Sequence, residues 1–317
     1  MHSIFFIPIL LVTFFSHTTA WAQQPGQAGS NFTISANVEL VMLDVSVKDK
    51  KGGYVSDLAQ EHFQIFDNGK LQSIRHFSRS DLPITVGLVL DNSGSMGPKR
   101  GEVMAAALAF ISASNPKDEI FVVNFNDKVV PGLPPDVLFT NNQQILRQAL
   151  LRASSEGRTA LNDAVGYSVQ YLNKGSMDKK ALLVVSDGGD NASDISASEV
   201  AKQAYQSHVT IYTIGIFNEN DPDSNPRFLR KLARISGGEY FQLRNLPEIV
   251  PVCRRIADDI RNRYTIAYRP PHTNSRRSEH SIKVVASMPS RGRLNVLTRT
   301  RYDMPEARRL TPVEINK

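Results

Sequence analysis

Only one cysteine, Cys253, occurs in 317 residues. That scarcity excludes an intramolecular disulfide and any zinc site built on paired cysteines. Long apolar runs are lacking too. Ile4 to Phe15 falls short of the ~20 apolar residues a spanning helix needs, and no later segment is longer. The chain has no HExxH and no GxxxxGK[ST], which removes the metalloprotease and phosphate-loop readings. Gly94-Ser95-Met96-Gly97 lacks the glycine at position 93 that a nucleophile elbow requires. His62, His76, His208, His272 and His280 are scattered, with no evident place beside a candidate acid. The formal net charge is +6, yet no helix-turn-helix, zinc finger or aromatic-studded RNA motif accompanies it, so the sequence points away from nucleic acid.

What is present describes an exported globular chain. Apolar content of 41% and charged content of 21% are those of a packed protein. The Ile4–Phe15 run followed by Ala20-Trp21-Ala22 is expected to be a secretory signal over 1–22, cut after Ala22. Its first residues hold no Lys or Arg, which keeps an uncleaved anchor as the alternative. Export without disulfides suggests a bacterial envelope, periplasmic or secreted protein. Cys253 shares helical spacing with Ile249, Ile256 and Ile260 and reads as a core residue. The cationic excess gathers between Arg254 and Arg301. On an exported chain it implies solvated strand faces or peripheral attraction to an anionic envelope.

Three zones follow a polar leader. From 33 to 81 the pattern is strand-like, with Val38 to Val47 alternating. Asp67-Asn68-Gly69 is a hairpin signal between Phe63–Ile65 and Ile74–Phe77. From 82 to 262, strands and helices alternate. Strands are expected at Thr85–Leu90, Glu119–Phe125, Ala181–Val185, Val209–Ile216 and Tyr240–Phe241, with a short one within Val129–Phe139. Helices are expected around Val103–Phe110, Ile145–Leu150, Leu161–Leu172, Ile195–Tyr205, from Pro226 to Gly237-Gly238, and at Ile249–Ile260. From 263 to 303 strands return, before a polar tail over 304–317. The alternation predicts an α/β fold, a doubly wound and mostly parallel sheet. Neither flank alone has enough strands to cover a core, so the α/β domain is expected to be inserted into a smaller β-sandwich-like domain.

Chemistry concentrates at strand ends. The run Val86-Gly-Leu-Val-Leu-Asp91-Asn-Ser93-Gly-Ser95 delivers a carboxylate and two hydroxyls at alternate positions. Asp187 ends the Ala181 strand, and Thr159 sits on a glycine-bearing loop before a helix. In an open α/β sheet the functional crevice lies beyond the carboxyl ends of the strands, where all five can meet. Convergent oxygens without nitrogen or sulfur suit a hard cation such as Mg²⁺. Taken singly, Asp91 and Asp187 also read as turn formers or helix caps, and Thr159 as an N-cap. Asp221-Pro-Asp223 starts like a calcium loop but lacks its glycine and closing glutamate, and reads as a solvated turn.

The set Asp91-x-Ser93-x-Ser95, Thr159 and Asp187 resembles the metal ion-dependent adhesion site of von Willebrand factor type A domains, over about residues 82–262. The flanking strands and signal also resemble bacterial secreted proteins of the VWFA-related, acidobacterial type. The resemblance implies Mg²⁺ or Mn²⁺ held directly by Ser93 and Ser95, with Asp91, Thr159 and Asp187 binding directly or through water. It implies a non-enzymatic module whose cation bridges to a Glu or Asp of a protein partner. A metal-stabilised structural envelope protein and a Mg-dependent hydrolase are the competing readings.

Overall fold

Ile84 to Leu90 is apolar at nearly every position, which suits a strand covered on both faces. The computed structural model describes residues 40–79, 81–152, 154–217, 224–243, 245–271 and 279–303. The expected signal peptide over 1–22, the expected tail over 304–317 and the expected turn at Asp221–Asp223 lie outside them.

Four strands come first, β1 (Val41–Lys48), β2 (Phe63–Asp67), β3 (Lys70–Gln72) and β4 (Ile74–Arg79). The central stretch holds β5 (Ile84–Asp91), α1 (Arg100–Ala113), β6 (Glu119–Phe125), β7 (Val129–Pro131), α2 (Gln143–Leu150) and α3 (Leu161–Tyr171). It continues with β8 (Lys179–Ser186), α4 (Ala197–Gln206), β9 (Val209–Ile216), α5 (Pro226–Ser236), β10 (Tyr240–Leu243) and α6 (Ile249–Asn262). Five strands follow: β11 (Tyr264–Tyr268), β12 (Glu279–Met288), β13 (Gly292–Arg293), β14 (Asn295–Leu297) and β15 (Arg301–Asp303).

The central strands form one sheet in the order β10-β9-β8-β5-β6-β7, parallel except for β7. The chain is therefore α/β, as its alternation predicted. Every residue of β5 is buried. Helix boundaries follow local chemistry. Asn225 caps α5 by accepting from Phe228 N (3.1 Å), Pro226 occupies the first turn, and Gly237 closes the helix at φ 81°. The next residue, Gly238, tolerates no side chain, because a Cβ would lie 2.0 Å from the Ile211 carbonyl oxygen. Helix α4 begins at Ala197 rather than Ile195, since Ser196 and Glu199 form a reciprocal capping box. Cys253 is buried in α6, and burial pushes its thiol up to about 12.

Strands from both flanks pair. The orders are β14-β1-β11-β4 and β13-β12-β2-β3, with β15 on β12. One apolar core unites Leu43, Val45 and Ile65 with Tyr264, Ile266 and Val284. The Asn68-Gly69 turn, at φ 48° and 79°, joins β2 to β3 and not to the Ile74–Phe77 strand. That strand, β4, crosses into the other sheet and pairs with β11, so the expected hairpin partner is corrected to Lys70–Gln72. At the end of β2, Asp67 is fully buried. It accepts from Tyr268 OH (2.9 Å) and Tyr302 OH (2.7 Å) and pairs with His280 Nδ1 (2.7 Å).

The expectation of solvated arginines needs correction as well. Arg263 is buried beside Asp259 of α6, donating through Nη2 to Asp259 Oδ2 (3.3 Å) and the Gly237 carbonyl (2.8 Å). The same carboxylate accepts from Tyr212 OH (2.6 Å) and from the Ser46 hydroxyl. At the surface, Arg261, Arg291 and Arg301 pair with Asp81, Asp57 and Glu279.

Two expectations can be checked. Asp67→Ala strands three polar partners in a dry core and should cost about 3–5 kcal/mol in urea unfolding, against about 1 kcal/mol for Tyr302→Phe. We also propose that 82–262 is a domain in its own right, inserted between 33–81 and 263–303. Expressed alone it should melt cooperatively; a broad, non-cooperative melt would merge it with its flanks.

Candidate functional site

Parallel register brings the first carboxylate to the second. Strand β5 lies between β6 and β8, and Leu90 sits opposite Val185. Asp91, one residue on, therefore meets Ser186, whose hydroxyl donates to Asp91 Oδ2 (2.6 Å). Asp187 follows at the same sheet edge. Its Oδ2 accepts from Ser95 Oγ (2.6 Å), and Ser95 Oγ lies 3.2 Å from Ser93 Oγ. Four of the predicted residues, Asp91, Ser93, Ser95 and Asp187, thus form one connected oxygen cluster.

The turn after β5 is built by those residues. Asp91 Oδ1 accepts from Ser93 N (2.9 Å), and Asp187 Oδ1 accepts from Gly189 N (3.0 Å), so each carboxylate also shapes its own loop. Ser93 precedes the 3-10 turn Gly94–Lys99 but makes no side-chain cap, which leaves its hydroxyl to the cluster.

Thr159 arrives by its backbone. Glu156 N donates to the Asn92 carbonyl (3.1 Å) and Gly94 N to the Gly157 carbonyl (3.1 Å), laying the 156–159 loop against the Asp91 turn. Thr159 N donates to Asn191 Oδ1 (2.9 Å), while its carbonyl accepts from Asn191 N and Ala192 N. The loop is therefore anchored both to the first turn and to the segment after Asp187. Helix α3 has Ala160 at its N-cap position and no side-chain cap, so Thr159 is not spent as one. Asp190 ties the start of α3 instead, accepting from Asn162 N (3.3 Å).

The electrostatics are unusual for a fold interior. Asp91, Ser93, Thr159 and Asp187 are buried, while Gly94 and Ser95 open to solvent. Among the described residues no cationic side chain pairs with Asp91 or Asp187. The nearby cations are engaged elsewhere: Arg100 donates to Ser155 Oγ (3.0 Å), Lys99 to the Ile216 carbonyl (2.9 Å) and Arg158 to the Asn191 carbonyl (3.3 Å). Burial, and then the Asp187 charge, raise the Asp91 carboxyl to about 7, against hydrogen bonds from Ser186 and Ser93 that favour the charged form. No three His, Cys, Asp or Glu side chains gather as metal ligands among the described residues; the cluster is carboxylate-poor and rich in hydroxyls.

Sequence reasoning missed Ser186 and Asn191. Ser186 was recoverable, since it is the β8 residue that falls level with Asp91 once the two strands are adjacent. Asn191 carries only a glycosylation-sequon match, Asn191-Ala192-Ser193, which says nothing of this site, and only the folded loop shows its part.

A model of the von Willebrand factor type A domain matches residues 85–252. An uncharacterized protein of Synechocystis sp. is 27% identical over 192 residues, 57% of this chain and 42% of that protein. This chain thus spans less than half of that relative. Among solved structures, a von Willebrand factor type A protein from Catenulispora acidiphila superposes with a TM-score of 0.52 at 13% identity, covering 87% of this chain and 76% of that one. Proximal thread matrix protein 1 of the mussel byssus gives 0.50 at 13% identity, covering 61% and 50%. At those identities the likeness is one of fold. The family match covers the sheet and the loops that carry the oxygen cluster, and the chain belongs to the von Willebrand factor type A domain family.

Proposed function

We propose that the oxygen cluster is a metal ion-dependent adhesion site and that the protein is an exported binding module. The observation that carries this reading is the pair of buried carboxylates, Asp91 and Asp187, set among hydroxyls and, among the described residues, without an ion-pair partner. Burying two like charges is costly unless a cation joins them. The donor set fits a hard divalent ion, because every candidate ligand atom is oxygen. Ser93 and Ser95 would hold it directly, with Asp91, Thr159 and Asp187 completing the shell directly or through water. A bound Mg²⁺ or Mn²⁺ supplies the missing positive charge and one position open to a Glu or Asp carboxylate of a protein partner.

The residues of this chain serve that purpose in distinct ways. Ser186 and the Ser93 N–H orient the Asp91 carboxylate. Exposure at Gly94 and Ser95 gives a partner access from one side. Von Willebrand factor type A domains commonly serve adhesion and protein interaction and are typically not enzymes, which supports reading this site as a binding site. We place the protein in the cell envelope or outside the cell. No helix among the described residues is long and apolar enough to cross a membrane.

Calorimetry with Mg²⁺ and Mn²⁺ tests the metal. Asp91→Ala should abolish binding, and Thr159→Ala should weaken it by less, because a water can replace one neutral hydroxyl. Wild-type affinity in Asp91→Ala would refute the site. Thermal melts add a second readout. Saturating metal, at about 100 times its dissociation constant, should stabilise the wild type by about 2.7 kcal/mol and leave Asp91→Asn unmoved. Metal-free Asp91→Asn should melt at or above the metal-free wild type, since one of two buried like charges is gone. Capture of an envelope protein that survives chelator would spare the site and reject the bridging mechanism.

A further inference from the structure

The opposite edge of the parallel sheet holds a feature that the oxygen cluster does not use. A cavity of about 420 Å³ opens where β8 and β9 begin, between the α/β layer and the sheet that contains β1, β4 and β11. That volume is in the range of small-molecule sites, and junctions between structural layers are where such sites concentrate. The eight residues of β8 separate it from Asp187 by on the order of 25 Å.

Its wall is divided by chemistry. Leu40, Met42 and Leu82 present exposed apolar surface, with Ile235 alongside. Facing the same space are Arg299 and Lys179. Arg299 donates through Nη1 to His208 Nδ1 (2.8 Å) and through Nη2 to the Met42 carbonyl (2.7 Å). A ring nitrogen that accepts from arginine is unprotonated, so the pair carries its one charge on the guanidinium. Among the described residues Arg299 Nε, itself closed off from solvent, has no hydrogen-bond partner. Neither Arg299 nor Lys179 has an ion pair among the described residues. Burial pulls both below their ordinary pKa values. Of the acids in the wall, Asp44 is approached by Thr265 Oγ1 (3.4 Å) and Asp178 is exposed, and neither sits within ion-pair distance of the two cations.

A half-buried guanidinium beside a lysine, neither held in an ion pair among the described residues, facing an apolar wall, is complementary to one kind of molecule. We propose that this cavity binds a small amphipathic carboxylate, its head on Arg299 and Lys179 and its apolar body against Leu40, Met42, Leu82 and Ile235. The assignment is independent of the metal site.

The test uses the full chain and the fluorescent probe 1-anilinonaphthalene-8-sulfonate, displaced by octanoate or by its neutral counterpart octanol. Saturable dye binding at one site is expected, with octanoate displacing it at least about tenfold more effectively than octanol, as charge-assisted hydrogen bonds require. Arg299→Gln should weaken octanoate about tenfold and leave octanol unchanged. Because Arg299 also holds the Met42 carbonyl, a second variant guards against misfolding. Met42→Glu alters an exposed side chain and should repel octanoate in a chain that melts as the wild type does. Asp91→Ala should bind octanoate normally, which separates this proposal from the metal reading. Non-saturable dye binding, equal displacement by octanol and octanoate, or wild-type octanoate affinity in Met42→Glu would each overturn it.

Discussion

Two carboxylates buried at neighbouring strand ends are the constraint on which the organisation of this molecule turns. Their proximity follows from the strand order, because β8 lies directly against β5 in parallel register. An antiparallel neighbour would have sent its carboxyl end to the far edge. The surrounding loops then answer a single electrostatic difficulty. Ser95, Ser186 and the Ser93 and Gly189 amides all donate toward the two acids, yet none brings a full positive charge. Neutral donors soften the repulsion without removing it, which is why burial still holds Asp91 far above the usual carboxylate range.

Much of this was legible in the residues, and the failures are instructive. Continuous apolar runs and 3.6-residue spacing located the central strands and helices because burial on both faces of a parallel sheet leaves a strong local trace. The Asn68-Gly69 turn was equally legible, but the partner of the strand after it was not. A turn is decided by two backbone angles, whereas membership of a sheet is decided by pairing with β11, almost two hundred residues away in sequence. The site divides in the same manner. Asp91, Ser93 and Ser95 share one strand end and announce themselves by alternation, while Ser186 and Asn191 matter only once distant segments meet.

Charge was the property least readable from sequence. A cluster of arginines suggested wet surfaces, and several do lie there in ion pairs. Arg263 is instead sealed into a junction where Asp259 gathers Ser46 of β1, Tyr212 of β9 and the turn between α6 and β11. Such a buried pair holds orientation more than it adds stability, because desolvation offsets most of its attraction. Composition counts charges but cannot say which of them have left water.

The pairing of β4 with β11 carries a mechanical consequence. These strands bracket the whole α/β stretch, and Arg79 lies opposite Tyr264 at its very base. Tension applied along the backbone from β1 toward β15 meets the ladders among β1, β4, β11 and β14 before it reaches the segment that leaves through Arg79 and returns at Tyr264. A load placed between β1 and β15 would therefore fall first on the hydrogen bonds between these strands, before the segment that carries the oxygens.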